Sequence, residues 1–270
     1  MNLNTIVEVK RPKSFEDVEW RDGHAFLGGG TWLFSEPQVN TDTLVDLQQF
    51  GWPALTVKPE GLEIAATCKI VELHDFKGPP EWKAVPLFDK AIDCFLMSFK
   101  IWNAATVGGN VVMSLPAGAM VSLTAALEGI CTLWPQNGKP RQVPVVDFVT
   151  GMHTNVLQKG ELLRSILLPT AALAKRFAIR QASLTHLGRS AALIIATVKD
   201  DDSDFLLTIS AATPRPVHIR FKKTPSASEL HQAIDERLPP GTWFNDVHGS
   251  APYKRHVTFY LAEQIRAELS

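Results

Sequence analysis

Three consecutive glycines follow a short apolar segment near the start of the sequence, and they limit what this part of the chain can form. Residues 25–27 have the pattern of a short strand, which must end at Gly28, Gly29 and Gly30. Because these residues lack Cβ atoms, they can adopt positive φ and expose successive backbone N–H groups. Such N–H groups can bind a phosphate or diphosphate without a lysine. A single glycine triplet, however, is most often a tight turn.

A second glycine-bearing segment lies at residues 103–110, between two segments with helical spacing. It contains Gly108 and Gly109, the hydroxyl of Thr106, and a side-chain amide at each end. On its own, this segment is also best explained as a turn. Two amide-rich loops in one domain make a phosphate-binding site as good an interpretation as two turns.

The periodicity of apolar residues changes along the chain and predicts two regions. Before Pro169, strand patterns alternate with helical ones, and the expected helices are a short one from Ser14, one at 69–75 capped by Thr67, one within 85–99 and one at 119–127. After Pro169, three antiparallel strand patterns are followed by amphipathic helices at 229–238 and 256–269. We therefore predict an α+β chain with domains at residues 1–169 and 170–270.

The charge balance and the missing motifs exclude several classes of function. Lys and Arg total 27 against 28 Asp and Glu, and the formal net charge of -1 gives no basis for binding nucleic acid or an anionic membrane. The sequence lacks G-x-G-x-x-G and G-x-x-x-x-G-K-[ST], the phosphate loops of Rossmann and P-loop proteins. It also lacks the G-x-S-x-G of α/β-hydrolases.

The three cysteines, Cys68, Cys94 and Cys131, are far apart and form no C-x-x-C pair. The chain therefore cannot assemble a zinc ribbon or an iron–sulfur site by itself, and free thiols in a reducing compartment are expected. The first twenty residues lack the apolar region of a secretory signal, and no apolar stretch is long enough to span a bilayer. We expect a cytoplasmic protein with no membrane span and no metal site.

Six segments match, in order, the motifs of one known family. Two of them resemble its flavin loops, and the second of these, of the form I-R-N-x-x-T-I-G-G-N, is the more specific. The segments are FLGGGTWL (26–33), LVDL (44–47), GLEIAATCKIVEL (61–73), IWNAATVGGN (101–110), GELLRSILLP (160–169) and DVHGSAPYKRHV (246–257). The chain resembles the FAD-binding (medium) subunit of the molybdenum hydroxylases, the family of carbon monoxide dehydrogenase and xanthine dehydrogenase.

The resemblance implies a vanillyl-alcohol-oxidase-like (PCMH-type) FAD-binding domain followed by a small C-terminal α+β domain. It also implies an extended FAD whose diphosphate lies against both glycine loops. Leu163, on a strand before the domain boundary, would pack near the flavin ring. The diphosphate would contact Leu27, Gly28, Gly29, Gly30 and Thr31 from the first loop, and Thr106, Gly108, Gly109 and Asn110 from the second.

Three positions depart from the family pattern. Trp32 stands where the family usually has Asp or Ser, and Trp102 replaces the arginine of the second loop. Gly118 and Ala119 stand where the family often has Ser-Asp, which implies that a carboxylate contact to the cofactor is lost. One lost hydrogen bond to a charged group corresponds to about 1.5–3 kcal/mol, a loss that the remaining N–H groups can tolerate.

The resemblance implies a subunit that transfers electrons through FAD and has no catalytic side chain of its own. Electrons would come from [2Fe–2S] clusters on a small partner chain, fed by a molybdopterin centre on a large one, and would leave to an external acceptor. The assembly would be a heterotrimer or a dimer of heterotrimers. The departures at Trp32, Trp102 and Ala119 leave open a scaffold or assembly subunit that binds FAD weakly or not at all. A free-standing flavoprotein oxidase is a third interpretation.

Overall fold

The computed structural model describes residues 3–95, 97–186 and 188–270. The strands are β1 (Glu8–Lys10), β2 (His24–Leu27), β3 (Thr43–Asp46), β4 (Leu55–Lys58), β5 (Gly61–Ala65), β6 (Ile130–Trp134), β7 (Arg141–Pro144), β8 (Val149–Gly151), β9 (Thr154–Asn155), β10 (Leu162–Pro169), β11 (Arg176–Ser183), β12 (Ser190–Val198), β13 (Ser203–Ser210) and β14 (Val217–Lys223). The helices are α1 (Ile70–His74), α2 (Leu87–Ile92), α3 (Phe99–Trp102), α4 (Val107–Met113), α5 (Ala119–Ala126), α6 (Val145–Phe148), α7 (Thr170–Leu173), α8 (Ala227–Arg237) and α9 (Ala251–Leu269), with a 3₁₀ helix at Leu47–Phe50.

A small parallel sheet at the N-terminus has the strand order β1-β3-β2. Its last pair, Leu27 with Asp46, lies directly before the glycine triplet, so the sheet fixes the point where that loop begins. The short helix expected from Ser14 is wrong. The backbone N–H and hydroxyl of Ser14 donate to the Asp17 carboxylate at 3.1 Å, which closes a turn that does not continue as a helix.

A five-stranded sheet of order β4-β5-β10-β6-β7 and the helices α1 to α7 surround the larger hydrophobic core. Helix α5 lies at the centre of this arrangement, in contact with α2, α4, β12 and β13. All eight of its residues are buried. A helix enclosed on every side requires small and apolar side chains around its whole circumference, and the sequence AMVSLTAA meets that requirement.

An antiparallel sheet of order β11-β12-β13-β14 forms the C-terminal part, with α9 packed against β11 and β12 and α8 against α9 and β14. Every residue of β12 is buried because both faces of the sheet are covered. Ile195 belongs to the larger core, whereas Ile194 and Ala196 belong to the second core beneath the helices. The two cores thus meet across one sheet, and the domain boundary after residue 169 stays a prediction.

A cluster of four charged side chains lies where these two parts meet. Lys175 is 2% exposed and its ammonium contacts the carboxylates of Glu128 and Asp204, each at 2.8 Å. Arg220 also pairs with both carboxylates. Because Glu128 follows α5 and Asp204 lies on β13, the cluster joins the larger core to the C-terminal sheet.

Several helix boundaries differ from those expected. Thr67 is not the cap of α1, which begins after Lys69, whose backbone N–H donates to the Glu72 carboxylate at 2.7 Å. The helical segment expected within 85–99 is two short helices, α2 and α3, and Leu96 between them lies outside the described residues. Strand β14 was not predicted. Its sequence, VHIRFKK, is mostly polar, and only Val217 and Ile219 are buried, so it lacks a clear strand pattern.

Across the part of the chain that the structure describes, no helix has both the length and the apolar character needed to cross a bilayer.

Candidate functional site

A cavity of about 690 Å³ lies between the glycine triplet, the segment from the end of α2 to the start of α5, the β8–β9 turn and the C-terminal part of the chain. This volume falls within the range of roughly 300–1,000 Å³ that is typical of sites for cofactors and other small molecules. Residues distant in sequence therefore meet at one concave surface. The predicted residues Leu27, Gly28, Gly29, Gly30, Thr31, Thr106, Gly109 and Asn110 all line it.

The two glycine loops lie directly against each other. A Cβ atom placed on Gly28 would lie 2.9 Å from the hydroxyl oxygen of Thr106. A Cβ atom on Gly29 would collide with the carbonyl oxygen of Ala104. The absence of side chains at Gly28 and Gly29 is thus what allows the loops to meet, which is the juxtaposition that binding of one diphosphate by both loops requires.

The first loop presents a run of free backbone donors. Among the residues that the structure describes, no acceptor is bonded to the backbone N–H groups of residues 28–33, and all six residues line the cavity. Gly30 has φ +70°, and its carbonyl accepts a bond from Phe34 N–H at 2.8 Å, which turns the chain after the triplet. Successive N–H groups without partners are typical of an anion-binding loop.

The second loop is not a loop throughout, because residues 107–110 form the first turn of α4. Thr106 caps this helix, and its hydroxyl accepts from Gly109 N–H at 3.0 Å. The remaining N–H groups of the turn, on residues 107, 108 and 110, donate to the carbonyls of Cys68, Ala66 and Thr106. The expected backbone contribution of this segment is therefore reduced, since its amides already have acceptors.

Asn110 is the member of the second segment with a side-chain donor available. Its Oδ1 accepts from Met120 N–H at 3.1 Å, at the start of α5. That bond orients the amide, and Nδ2 has no acceptor within the described ranges. Asn110 can therefore donate into the cavity without further rearrangement.

Two predicted residues do not line the cavity. Gly108 is buried against Ala66, and a Cβ atom there would lie 2.5 Å from the Ala66 Cα, so close helix packing accounts for this glycine. Leu163 is 1% exposed within the larger core. Its side chain lies among other core residues, and a contact between Leu163 and a flavin ring stays a prediction.

The C-terminal part contributes a wall that our residue predictions missed. Asp246 and His248 line the cavity, and Asp246 pairs at 2.9 Å with the ammonium of Lys254, which is 0% exposed. Lys254 also donates to the carbonyl of Ala211 at 3.1 Å, so its charge is satisfied inside the protein. The segment DVHGSAPYKRHV carried a signal for this wall, since it contains all three of these site residues.

The three positions that depart from the family pattern have different environments. Trp32 lines the cavity, with its ring 5.8 Å from that of His153. Trp102 lies outside the lining, and its ring packs in a tilted arrangement against that of His74, with the ring centres 5.3 Å apart. Ala119 is buried at the start of α5. Of the three, Trp32 is the one placed to contact a ligand.

The three cysteines are free thiols that lie in buried or half-buried positions. Burial raises the pKa of Cys68 above its usual range and that of Cys94 and Cys131 to about 12. The thiols are therefore neutral near pH 7, which makes them weak nucleophiles. No group of three potential metal ligands occurs among the described residues.

Comparison with known proteins gives a match over most of the chain. A family model described as the FAD binding domain in molybdopterin dehydrogenase matches residues 7–171. No curated protein matches the sequence at a significant level.

Solved structures match over nearly the whole length. A chain of quinoline 2-oxidoreductase from Pseudomonas putida 86 is 16% identical with a TM-score of 0.84, over 100% of this chain and 98% of that one. Carbon monoxide dehydrogenase chains from Hydrogenophaga pseudoflava (18% identical, TM-score 0.81, 96% of each chain) and Oligotropha carboxidovorans (19%, 0.80, 99% of each) are also similar. At these identities the likeness shows a shared fold, and the predicted fold class is confirmed.

Proposed function

Because the chain belongs to the family of FAD-binding domains in molybdopterin dehydrogenases, we propose that it transfers electrons from an iron–sulfur partner chain, through FAD, to an external acceptor. The cofactor of this family is FAD. The observation that carries the proposal is that residues 28–33 all line the cavity and that their backbone N–H groups have no acceptor among the described residues.

The residues of the cavity fit FAD. The N–H groups of residues 28–33 suit a diphosphate, since a dianion is stabilised by several aligned donors. The Nδ2 group of Asn110 adds a side-chain donor across the gap. Apolar side chains such as Phe95, Met113 and Leu115 line the cavity near these donors, and they suit a planar ring system.

Bound FAD supplies the redox chemistry, since it accepts and releases electrons that the protein side chains cannot carry. The protein residues bind it and exclude water. The Asp246 carboxylate faces the cavity but is neutralised by Lys254, so it adds little repulsion toward an anionic ligand.

We propose that the partners are a large molybdopterin-binding chain and a small [2Fe–2S] chain, in a heterotrimer or a dimer of heterotrimers. The enzymes with similar chains, among them a Cu,Mo-CO dehydrogenase, support this assignment. The cysteines of this chain also support it, because no group of three potential metal ligands that could hold a cluster occurs among the described residues.

Purification of the tagged full chain from its native cells tests the proposal. We expect both partner chains to co-purify, with one FAD per copy of this chain and with iron and molybdenum in the complex. After partial reduction with dithionite, the electrons should equilibrate between the clusters and the flavin. FAD without partner chains would indicate a free-standing flavoprotein, and partners without FAD would indicate a scaffold subunit.

Asn110→Asp should lower the affinity for FAD by about tenfold or more, since a carboxylate oxygen replaces the donor Nδ2 and repels the phosphates. The bond from Met120 N–H to Oδ1 is kept, so the melting temperature should stay the same. Titration of the apo-protein with FAD, followed by tryptophan fluorescence, measures the effect.

Asn103→Asp is the matched control for that titration. It makes the same chemical change on an exposed residue outside the cavity lining, whose Nδ2 donates to Phe99 O at 2.9 Å. Its FAD affinity should equal that of the wild type. If Asn110→Asp also binds FAD with wild-type affinity, Asn110 does not contact the cofactor.

A further inference from the structure

The cavity wall contains an arginine, which carries a formal positive charge. Among the described lining residues, Arg189 is the single lysine or arginine, and it has no carboxylate partner within the described chain. It lies just before β12, in the C-terminal part. The lining acid, Asp246, is neutralised by Lys254. Arg189 is therefore an exposed residue of the cavity wall whose charge is uncompensated there.

Tryptophan 32 holds this guanidinium at the first glycine loop. The guanidinium carbon of Arg189 lies 5.7 Å from the centre of the Trp32 ring, within the range of a cation–π contact. His153 lies on the same ring at 5.8 Å. The backbone of His153 has φ +55°, and its N–H donates to Ser114 O at 3.0 Å. Trp32 is thus held by two residues from other parts of the chain.

We propose that Arg189 pairs with the diphosphate of FAD and that Trp32 keeps the guanidinium in position for it; this inference rests on the proposed FAD site. Trp32 belongs to the same run of residues, 28–33, whose free N–H groups suit the diphosphate. Backbone N–H groups provide only partial charges, whereas arginine offers a full charge and paired donors that match phosphate oxygens. The Arg189 guanidinium and the N–H groups of residues 28–33 are therefore both suited to bind the diphosphate of FAD.

The two arginines of β11 are not placed for this role. Arg176 pairs with Asp202 at 2.5 Å, and Arg180 pairs with Glu268. Neither lines the cavity. Their charges are already compensated, so Arg189 is the residue placed to contribute.

Arg189→Gln in the full chain tests the proposal through FAD affinity and through the midpoint potential of bound FAD. We expect the dissociation constant to rise by about ten- to a hundredfold, since a charge-assisted hydrogen bond is lost. The potential at saturating FAD should stay unchanged, because the diphosphate has the same charge in both redox states. Arg189→Lys should recover part of the affinity, as it keeps the charge but not the paired donors.

Arg215→Gln is the matched control, since it removes the same charge from an exposed residue outside the cavity, and it should bind FAD as the wild type does. Unchanged affinity in Arg189→Gln would overturn the proposal. Weaker binding with a lower potential would also overturn it, because Arg189 would then face the flavin ring. A wild-type chain that binds no FAD would instead refute the proposed function.

Discussion

Gly109→Val is expected to lower the affinity for FAD by about a hundredfold and to lower the melting temperature of the apo-protein by no more than about 5 °C. Gly109 is exposed at the cavity wall, and a Cβ atom placed there would lie 2.8 Å from the Thr106 hydroxyl oxygen. That hydroxyl must shift, which weakens the bond that caps α4, and the rest of the added side chain occupies the cavity. Valine is no worse than glycine inside a helix, so α4 should still form.

FAD titration and a thermal melt of the apo-protein measure the two parts of this result. Gly109→Ala serves as the graded control, because a single methyl group takes less of the cavity and should reduce the affinity less. Gly29→Val is a poor alternative, since its Cβ atom would collide with the Ala104 carbonyl and displace the loop. Wild-type affinity in Gly109→Val would place the cofactor elsewhere.

Lys175→Met is expected to lower the free energy of unfolding by about 3 kcal/mol, and the melting temperature by about 6 °C. The substitution leaves the carboxylates of Glu128 and Asp204 near each other, with Arg220 as their remaining cation in the described cluster. Removing one partner of a buried ion pair is costly because the other charge stays desolvated. Urea denaturation of the apo-protein measures the change.

Lys83→Met is the matched control for this substitution. Lys83 pairs with Asp200 at 2.5 Å, but both side chains are about half exposed, so the expected loss is below about 1 kcal/mol. Equal losses in the free energy of unfolding for the two variants would show that the buried Lys175 cluster stabilises the fold no more than an exposed ion pair does.

The pH dependence of stability provides a second measurement of the cluster. Burial disfavours the carboxylates of Glu128 and Asp204, but the bonds and charges of Lys175 and Arg220 outweigh it and hold the pKa of each below its ordinary value of 4.5 or 3.8. The resulting stabilisation is complete above pH 4.5 and is lost as the pH falls toward the lower native pKa values. Lys175→Met should flatten this dependence.

Local sequence was sufficient to predict most of the strands and both glycine-bearing segments. Strand β2 follows from a short apolar run that ends at the glycine triplet, a pattern that acts over a few neighbours. The same reasoning failed at Ser14, where a polar pair that can begin a helix closes a turn, and at β14, whose polar residues conceal a strand. A local hydrogen bond decides the first outcome, and pairing with the neighbouring strand β13 decides the second.

Gly109 and Asn110 were identified from the second loop motif, but their surroundings were not. The sequence could not show that the amides of residues 107–110 have acceptors, because the carbonyls of Cys68 and Ala66 come from a segment nearly forty residues away. Nor could it place Leu163 within the core, away from the cavity lining. Hydrogen-bond satisfaction is a property of the folded chain.

The order of its motifs was enough to place this chain in a flavin-binding family, since each motif is a run of adjacent residues that the sequence displays directly. The assembly of the cavity was decided by the tertiary structure alone. Arg189, Trp32 and His153 lie more than thirty residues from one another, and only the packing of the C-terminal sheet against the larger core brings them together. Electrostatic and aromatic contacts depend on distance in space and not on distance along the sequence, so the contacts of Arg189, Trp32 and His153 are identified from the folded structure.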